Sequence, residues 1–119
     1  MVVIEVGHKM KKLFLINSEI DRFEMKVIYG AGKEGQLLCK KLQEEGLEID
    51  FFADSNPQIH GTSILGIEVV SMEWLKQMRD RTAVLLSKGY QEQIYSMLMD
   101  HGIENIFLSH VENGMILDD

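Results

Sequence analysis

The sequence predicts an α/β domain, a mostly parallel sheet with helices on both faces and an N-terminal appendage. Three observations predict it. Continuous apolar runs recur along the chain, as strands buried on both faces require. Segments with helical apolar stripes stand between most of these runs. The first buried run ends in Gly30-Ala31-Gly32-Lys33-Glu34-Gly35, a Gly-x-Gly-x-x-Gly turn that opens a helical segment.

Residues 2–6 can form a strand. Between His8 and Phe23 the period is mixed. Met10, Leu13, Ile16 or Asn17, Ile20 and Phe23 fall near one helical stripe with Phe14 and Leu15 off it, while Leu13-Phe14-Leu15-Ile16 also reads as a strand. The expectation is a helix across much of this segment, broken near Asn17, with Ser18 capping a new turn. Residues 1–25 form the appendage, and residues 26–119 the nucleotide-binding domain.

Lys26–Tyr29 is the first strand of that domain. Lys33–Glu45 is its crossover helix, with Gly35, Leu38, Cys39 and Leu42 facing the sheet. Gly46 stands where a helix end takes positive φ. Glu48–Ala53 is the second strand and runs into Asp54-Ser55-Asn56-Pro57. Ile67–Val70 is the third, reached through turns at Gly61 and Gly66, and no crossover helix fits before it. Ser71 caps a short helix that carries Trp74, Leu75 and Met78 inward. Thr82–Ser87 is the fourth strand, Gln91–His101 the next helix with Gly102 at its end, and Asn105–Leu108 the fifth strand. The tail adds a short strand at Met115–Leu117 or an interface segment.

The glycine turn points to a nucleotide. Gly30 permits the tight turn, Gly32 lets backbone approach a pyrophosphate, and Gly35 allows close helix–sheet packing. The helix N-terminus then offers unpaired N–H groups and a positive dipole end to the anion. Asp54 lies 19 positions past Gly35 at the tip of the second strand, where an acid accepts hydrogen bonds from a ribose diol. Asp-Ser-Asn-Pro is equally a turn sequence. Ser87 and Lys88 fall at the carboxyl end of the fourth strand, where ligands of open α/β sheets lie. The candidate ligand-binding residues are therefore Gly30, Ala31, Gly32, Lys33, Glu34, Gly35, Asp54, Ser55, Ser87 and Lys88.

The chain has 119 residues, a formal net charge of −7 and one cysteine, Cys39. An acidic chain argues against nucleic acid as a partner, because a phosphate backbone needs a basic face. A single cysteine cannot form an intrachain disulfide and fits a reducing, cytoplasmic setting. No run is long enough for a membrane span. Met1 to Val6 is cut short by Gly7-His8-Lys9, unlike a signal peptide.

Catalytic patterns are missing. The four histidines, His8, His60, His101 and His110, lack zinc-site spacing. Gln36 and Leu37 stand where a P-loop needs Lys and Ser or Thr. No Gly-x-Ser-x-Gly elbow is present, and no Tyr-x-x-x-Lys pair lies outside the glycine loop. Lys88 and Tyr90 are the best local candidates should a partner chain supply the rest.

The stretch from Val27 to Leu108 resembles a known type. Ile28-Tyr29-Gly30-Ala31-Gly32-Lys33, then Phe51-Phe52-Ala53-Asp54-Ser55-Asn56-Pro57, then Gly66-Ile67-Glu68-Val69, is similar to the small Rossmann domains of bacterial nucleotide-sugar metabolism. Such domains precede the catalytic part of sugar dehydratases in polysaccharide biosynthesis and form the N-terminal part of sugar acyltransferases. The resemblance implies a Rossmann-like sheet of strand order 3-2-1-4-5. It implies NAD at the glycine loop in the first type and a uridine-diphosphate sugar in the second, with Asp54 as the acid.

The expected function is a nucleotide-binding module for NAD, with NADP or a UDP-sugar as alternatives, lacking its own catalytic machinery. The expected partners are a small-molecule nucleotide, no nucleic acid and no membrane. A homo-oligomer or a partner catalytic chain is the alternative way to complete an enzyme. A structural or regulatory protein with an unused glycine loop is the third reading.

Overall fold

Strand β2 (Met25–Tyr29) is the centre about which the other elements are placed. Its flanks are β3 (Phe51–Ala53) on one side and β6 (Thr82–Leu86) on the other, both parallel to it. Beyond β3 lies β5 (Ile67–Val70), and beyond β6 lies β7 (Ile106–Ser109), again parallel. The computed structural model describes residues 11–13, 18–109, 111–112 and 115–116.

The five expected strands thus lie in the expected relative order. The complete sheet has seven strands and differs by one addition at each edge. Strand β4 (Ser63–Ile64) pairs antiparallel with β5 through a tight hairpin. Its two central residues, Leu65 (φ 55°) and Gly66 (φ 76°), both take the positive φ that such hairpins demand. Strand β1 (Lys11–Leu13) pairs parallel with β7, Lys11 opposite Phe107.

Strand β1 overturns the expected helix over much of His8 to Phe23. Lys11–Leu13 is extended, and among the described residues of this segment the helix is α1 (Ser18–Asp21). The mixed period is the reason: beside an open sheet edge, a segment with an imperfect helical stripe gains more from strand pairing. Ile20 of α1 is fully buried, and Phe23 meets Phe107 edge-on at 6.2 Å. The strand expected at 2–6 lies outside the described residues. In the tail, β8 (Val111–Glu112) and β9 (Met115–Ile116) form a separate antiparallel pair.

Two cores cover the sheet, and alternation along β2 feeds both. Ile28 packs with Leu38, Cys39 and Leu42 of α2 (Lys33–Glu44), and with Phe52 and Val69. Val27 and Tyr29 point the other way. They meet Leu75 of α3 (Met72–Gln77) and Tyr95 and Leu98 of α4 (Gln91–Asp100). The sheet-facing residues expected for α2 are buried. Cys39 is a buried free thiol, and burial pushes its pKa upward, away from nucleophilic use. Ser71 caps α3 as expected, its Oγ accepting the Trp74 N–H at 3.2 Å. Gly46 (φ 92°) ends α2 with the left-handed turn expected there.

The second strand is shorter than expected, because Glu48 to Asp50 do not extend the ladder. Asp50 instead clasps Lys26. The Lys26 N–H donates to Asp50 Oδ2 at 2.8 Å, and the Asp50 N–H donates to the Lys26 carbonyl at 2.8 Å. On the surface, the Arg81 guanidinium grips the Glu24 carboxylate with two hydrogen bonds of 2.9 and 3.1 Å. This holds Glu24 below its ordinary carboxylate pKa. No helix among the described residues is long and apolar enough to cross a membrane.

Candidate functional site

Chain direction changes between β2 and β6: the path from β2 runs through β3 to β5, then returns to β6 and continues to β7. At such a switch point the carboxyl ends of neighbouring strands leave a crevice. The loops that leave β2, β3 and β6, together with the first turn of α2, hold all ten candidate residues.

Gly30 follows β2 with φ 104°, and its N–H donates to the Ala53 carbonyl at 2.6 Å. Ala31 is buried. Gly32, Lys33 and Glu34 are exposed. Gly32 caps α2 in extended backbone, and no side chain makes a capping hydrogen bond at this helix N-terminus. Gly35 packs so tightly that a Cβ there would sit 1.9 Å from the Gly30 carbonyl oxygen. At Gly32 a Cβ would meet nothing within 4 Å. Gly35 therefore serves the packing, while Gly32 leaves the surface above the turn open.

Asp54 is bound directly to this turn. Its Oδ2 accepts the Ala31 N–H at 2.8 Å, and its Oδ1 accepts the Asn56 N–H at 2.9 Å. Both readings of the residue hold together: it organises an Asx-type turn, and it stands at the glycine loop. Gln36 Nε2 donates to the Ala31 carbonyl at 2.9 Å and so holds the next peptide of the same turn. Ser55 is exposed and shares a 2.7 Å hydrogen bond with the Tyr29 hydroxyl. Beyond β6, Ser87 is buried and Lys88 is exposed.

Beside Asp54 lies a cleft of about 330 Å³, walled by Tyr29, Asp54, Ser55, His60, Ser71, Met72, Glu73, Met97 and His101. No glycine-loop residue lines it; Asp54 joins the two features. Spacing alone did not single out His60, Ser71, Glu73 or His101 as site residues. Ser71 could have been found by the rule that selected Ser87, since it too follows the carboxyl end of a parallel strand. His60 had no such signal. Its Nε2 lies 2.6 Å from the Asp54 carbonyl oxygen. A carbonyl only accepts, so Nε2 carries the proton. His101 Nδ1 is held in the same way by the Met97 carbonyl at 2.8 Å.

Burial pushes the Tyr29 phenol above its usual value of 10.0; the Ser55 hydrogen bond opposes this and the Asp54 charge adds to it. Tyr95 moves the same way, from burial first and Glu104 second. The folded state thus holds these protons more tightly than the unfolded chain. Their contribution to stability is whole below about pH 10 and is lost as pH rises through the higher folded values. Tyr29→Phe should flatten the alkaline limb of a stability–pH profile measured by urea denaturation. An unchanged limb in both Tyr29→Phe and Tyr95→Phe would remove this account.

The sheet order, the glycine turn and the acid beyond β3 together define a Rossmann-type α/β domain. The chain belongs to the C2185-like N-terminal domain family, whose model matches residues 23–106. No curated protein matches the sequence. Among solved structures, it is similar to RSP, a Rex-family repressor, at 23% identity and TM-score 0.54, covering 84% of this chain and 54% of that one. The chain thus spans about half the length of that repressor. RSP has been solved with NADH, and with NAD+ and operator DNA. UDP-D-quinovosamine 4-dehydrogenase from Vibrio fischeri is similar at 24% identity and TM-score 0.53, covering 76% of this chain and 80% of that one.

These likenesses correct one expectation. The net charge of −7 does not exclude nucleic acid as a partner, because the same fold occurs in a repressor solved on its operator. Net charge sums the whole chain, whereas DNA contact depends on where positive groups cluster.

Proposed function

We propose that this domain is a nucleotide-binding module that holds NAD(H). The pyrophosphate lies over Gly30, Ala31, Gly32, Lys33, Glu34 and Gly35, and the adenosine ribose lies at Asp54 and Ser55. Ser87 and Lys88 border the other half of the ligand. The observation that carries this reading is the bond from the Ala31 N–H to Asp54 Oδ2. It ties the acid directly to the glycine turn, so one site can take a ribose and its diphosphate together. The dinucleotides named with RSP support NAD. The UDP-sugar in the name of the quinovosamine enzyme supports a place in nucleotide-sugar or polysaccharide metabolism. A carboxylate at Asp54 disfavours the 2′-phosphate of NADP, partly offset by Lys33.

A second reading is a subunit of a nucleotide-sugar-modifying enzyme completed by a partner chain. The cleft beside Asp54 favours it, since it gathers His60, His101, Glu73 and Tyr29 without assembling a catalytic pair. Mass in solution separates the two: a monomer that binds nucleotide supports the module, and an obligate complex supports the subunit.

The direct test is a thermal-shift series with NAD(H), NADP(H), coenzyme A and UDP-sugars. NAD(H) at a hundredfold over its Kd should stabilise the fold by about 2.7 kcal/mol. Gly32→Val should abolish the shift and leave the fold intact, because the space above Gly32 is open. A tighter grip on NADP(H) would refute the ribose assignment, and a shift with none of these compounds would refute nucleotide binding.

A further inference from the structure

The fold does not account for Tyr90. The residue is 77% exposed, the most exposed of the large hydrophobic residues among those described. Its backbone is left-handed, φ 56° and ψ 34°. That conformation is unfavourable for an L-residue other than Gly, Asn or Asp. Leu65 is the other non-glycine residue with positive φ, and there the β4–β5 hairpin explains it. Tyr90 sits in no hairpin. It precedes α4 without any side-chain capping bond. A glycine or asparagine would suit the backbone better, and the exposed ring adds little to the core. Backbone strain kept at a solvent-facing aromatic is a reason to look for a ligand.

The position supplies one. Strands β6 and β2 pair with Leu86 opposite Tyr29, so the loop after β6 leaves the sheet beside the glycine turn. Gly89 lies against the first turn of α2, where a Cβ on it would be 3.7 Å from Glu34 Cγ. Strand β3, which delivers Asp54, is on the opposite flank of β2. With its adenosine ribose at Asp54 and its pyrophosphate over Gly30 to Gly35, a dinucleotide directs its second nucleoside toward β6.

We infer that Tyr90 stacks on the nicotinamide ring of bound NAD(H), which makes it a positioning residue for that half of the ligand. This rests on the NAD reading above. Aromatic stacking on a planar heterocycle is strong enough to be seen in an affinity.

The test compares NAD+ with ADP-ribose, which keeps the adenosine and pyrophosphate but lacks nicotinamide, by titration calorimetry on the whole chain. Tyr90→Asn should weaken NAD+ on the order of tenfold. It should leave ADP-ribose within about twofold of the wild type. Its Tm should stay level or rise, because Asn tolerates the left-handed backbone. Tyr90→Phe, which keeps the ring, should bind NAD+ within about twofold of the wild type. Equal NAD+ affinity in Tyr90→Asn and wild type, or an equal loss for both ligands, overturns the stacking assignment and leaves the nucleotide reading standing. A wild-type chain that binds neither ligand overturns both.

Discussion

Gly35→Ala is expected to destabilise the domain by about 3 kcal/mol or more and to abolish nucleotide binding. The added Cβ would lie 1.9 Å from the Gly30 carbonyl oxygen and 3.0 Å from its carbon. These are backbone atoms at the end of β2, so no side-chain rotation relieves the overlap. Ile28 Cγ2 stands 3.5 Å away on the sheet side and limits retreat in that direction. Helix α2 must then lift from β2, which loosens Leu38 and Leu42 from Ile28 and Phe52 in the same core. The change also displaces the turn proposed above to hold the pyrophosphate. Gly32→Ala is the matched control, because its Cβ would enter open space. Urea denaturation of the two variants separates the roles: a Gly35→Ala midpoint equal to that of Gly32→Ala would refute the packing account.

Asp54→Ala is expected to cost about 3 kcal/mol and to weaken nucleotide binding as well. Each carboxylate oxygen accepts one backbone N–H, from Ala31 and from Asn56. Hydrogen bonds to a charged group contribute about 1.5–3 kcal/mol each, less where water replaces the partner. Asn56 is exposed, so water can serve its N–H. Ala31 is buried, so its N–H is left unsatisfied. Most of the loss therefore comes from Ala31. Asp54→Asn should recover part of it, since an amide oxygen replaces one acceptor while its NH2 opposes the other N–H. Hydrogen exchange at the Ala31 amide reads the effect directly. Unaltered protection there in Asp54→Ala would show that another group holds the turn.

The strands of the inner sheet were legible because they are buried on both faces. Val27 to Tyr29 and Ala83 to Leu86 have no polar residue to place in water, and that property is written in consecutive letters. The sheet-facing stripe of α2 was legible because Gly35, Leu38, Cys39 and Leu42 repeat at helical spacing. The segment before β2 was not. Its residues suit either period, and the partner that makes Lys11–Leu13 a strand is β7, near the opposite end of the sequence. The β4–β5 hairpin was announced only as a turn at Gly66, since two-residue strands carry too little pattern to read.

The candidate site divides along the same line. By itself the sequence determined that a glycine turn joins a buried strand to a helix, and that an acid ends the next strand. Short-range sterics and periodicity suffice for both. The tertiary structure alone decided that Asp54 bonds to Ala31, that Gly35 is locked by the Gly30 carbonyl, and that Gly89 stands beside α2. It alone gathered His60, Ser71, Glu73 and His101 around one cleft. These residues come from three separate places in the chain, a turn and two helix ends, and their proximity depends on which strands are neighbours. Strand pairing is a long-range choice, made by burying two whole faces of a sheet at once, and no local spacing encodes it.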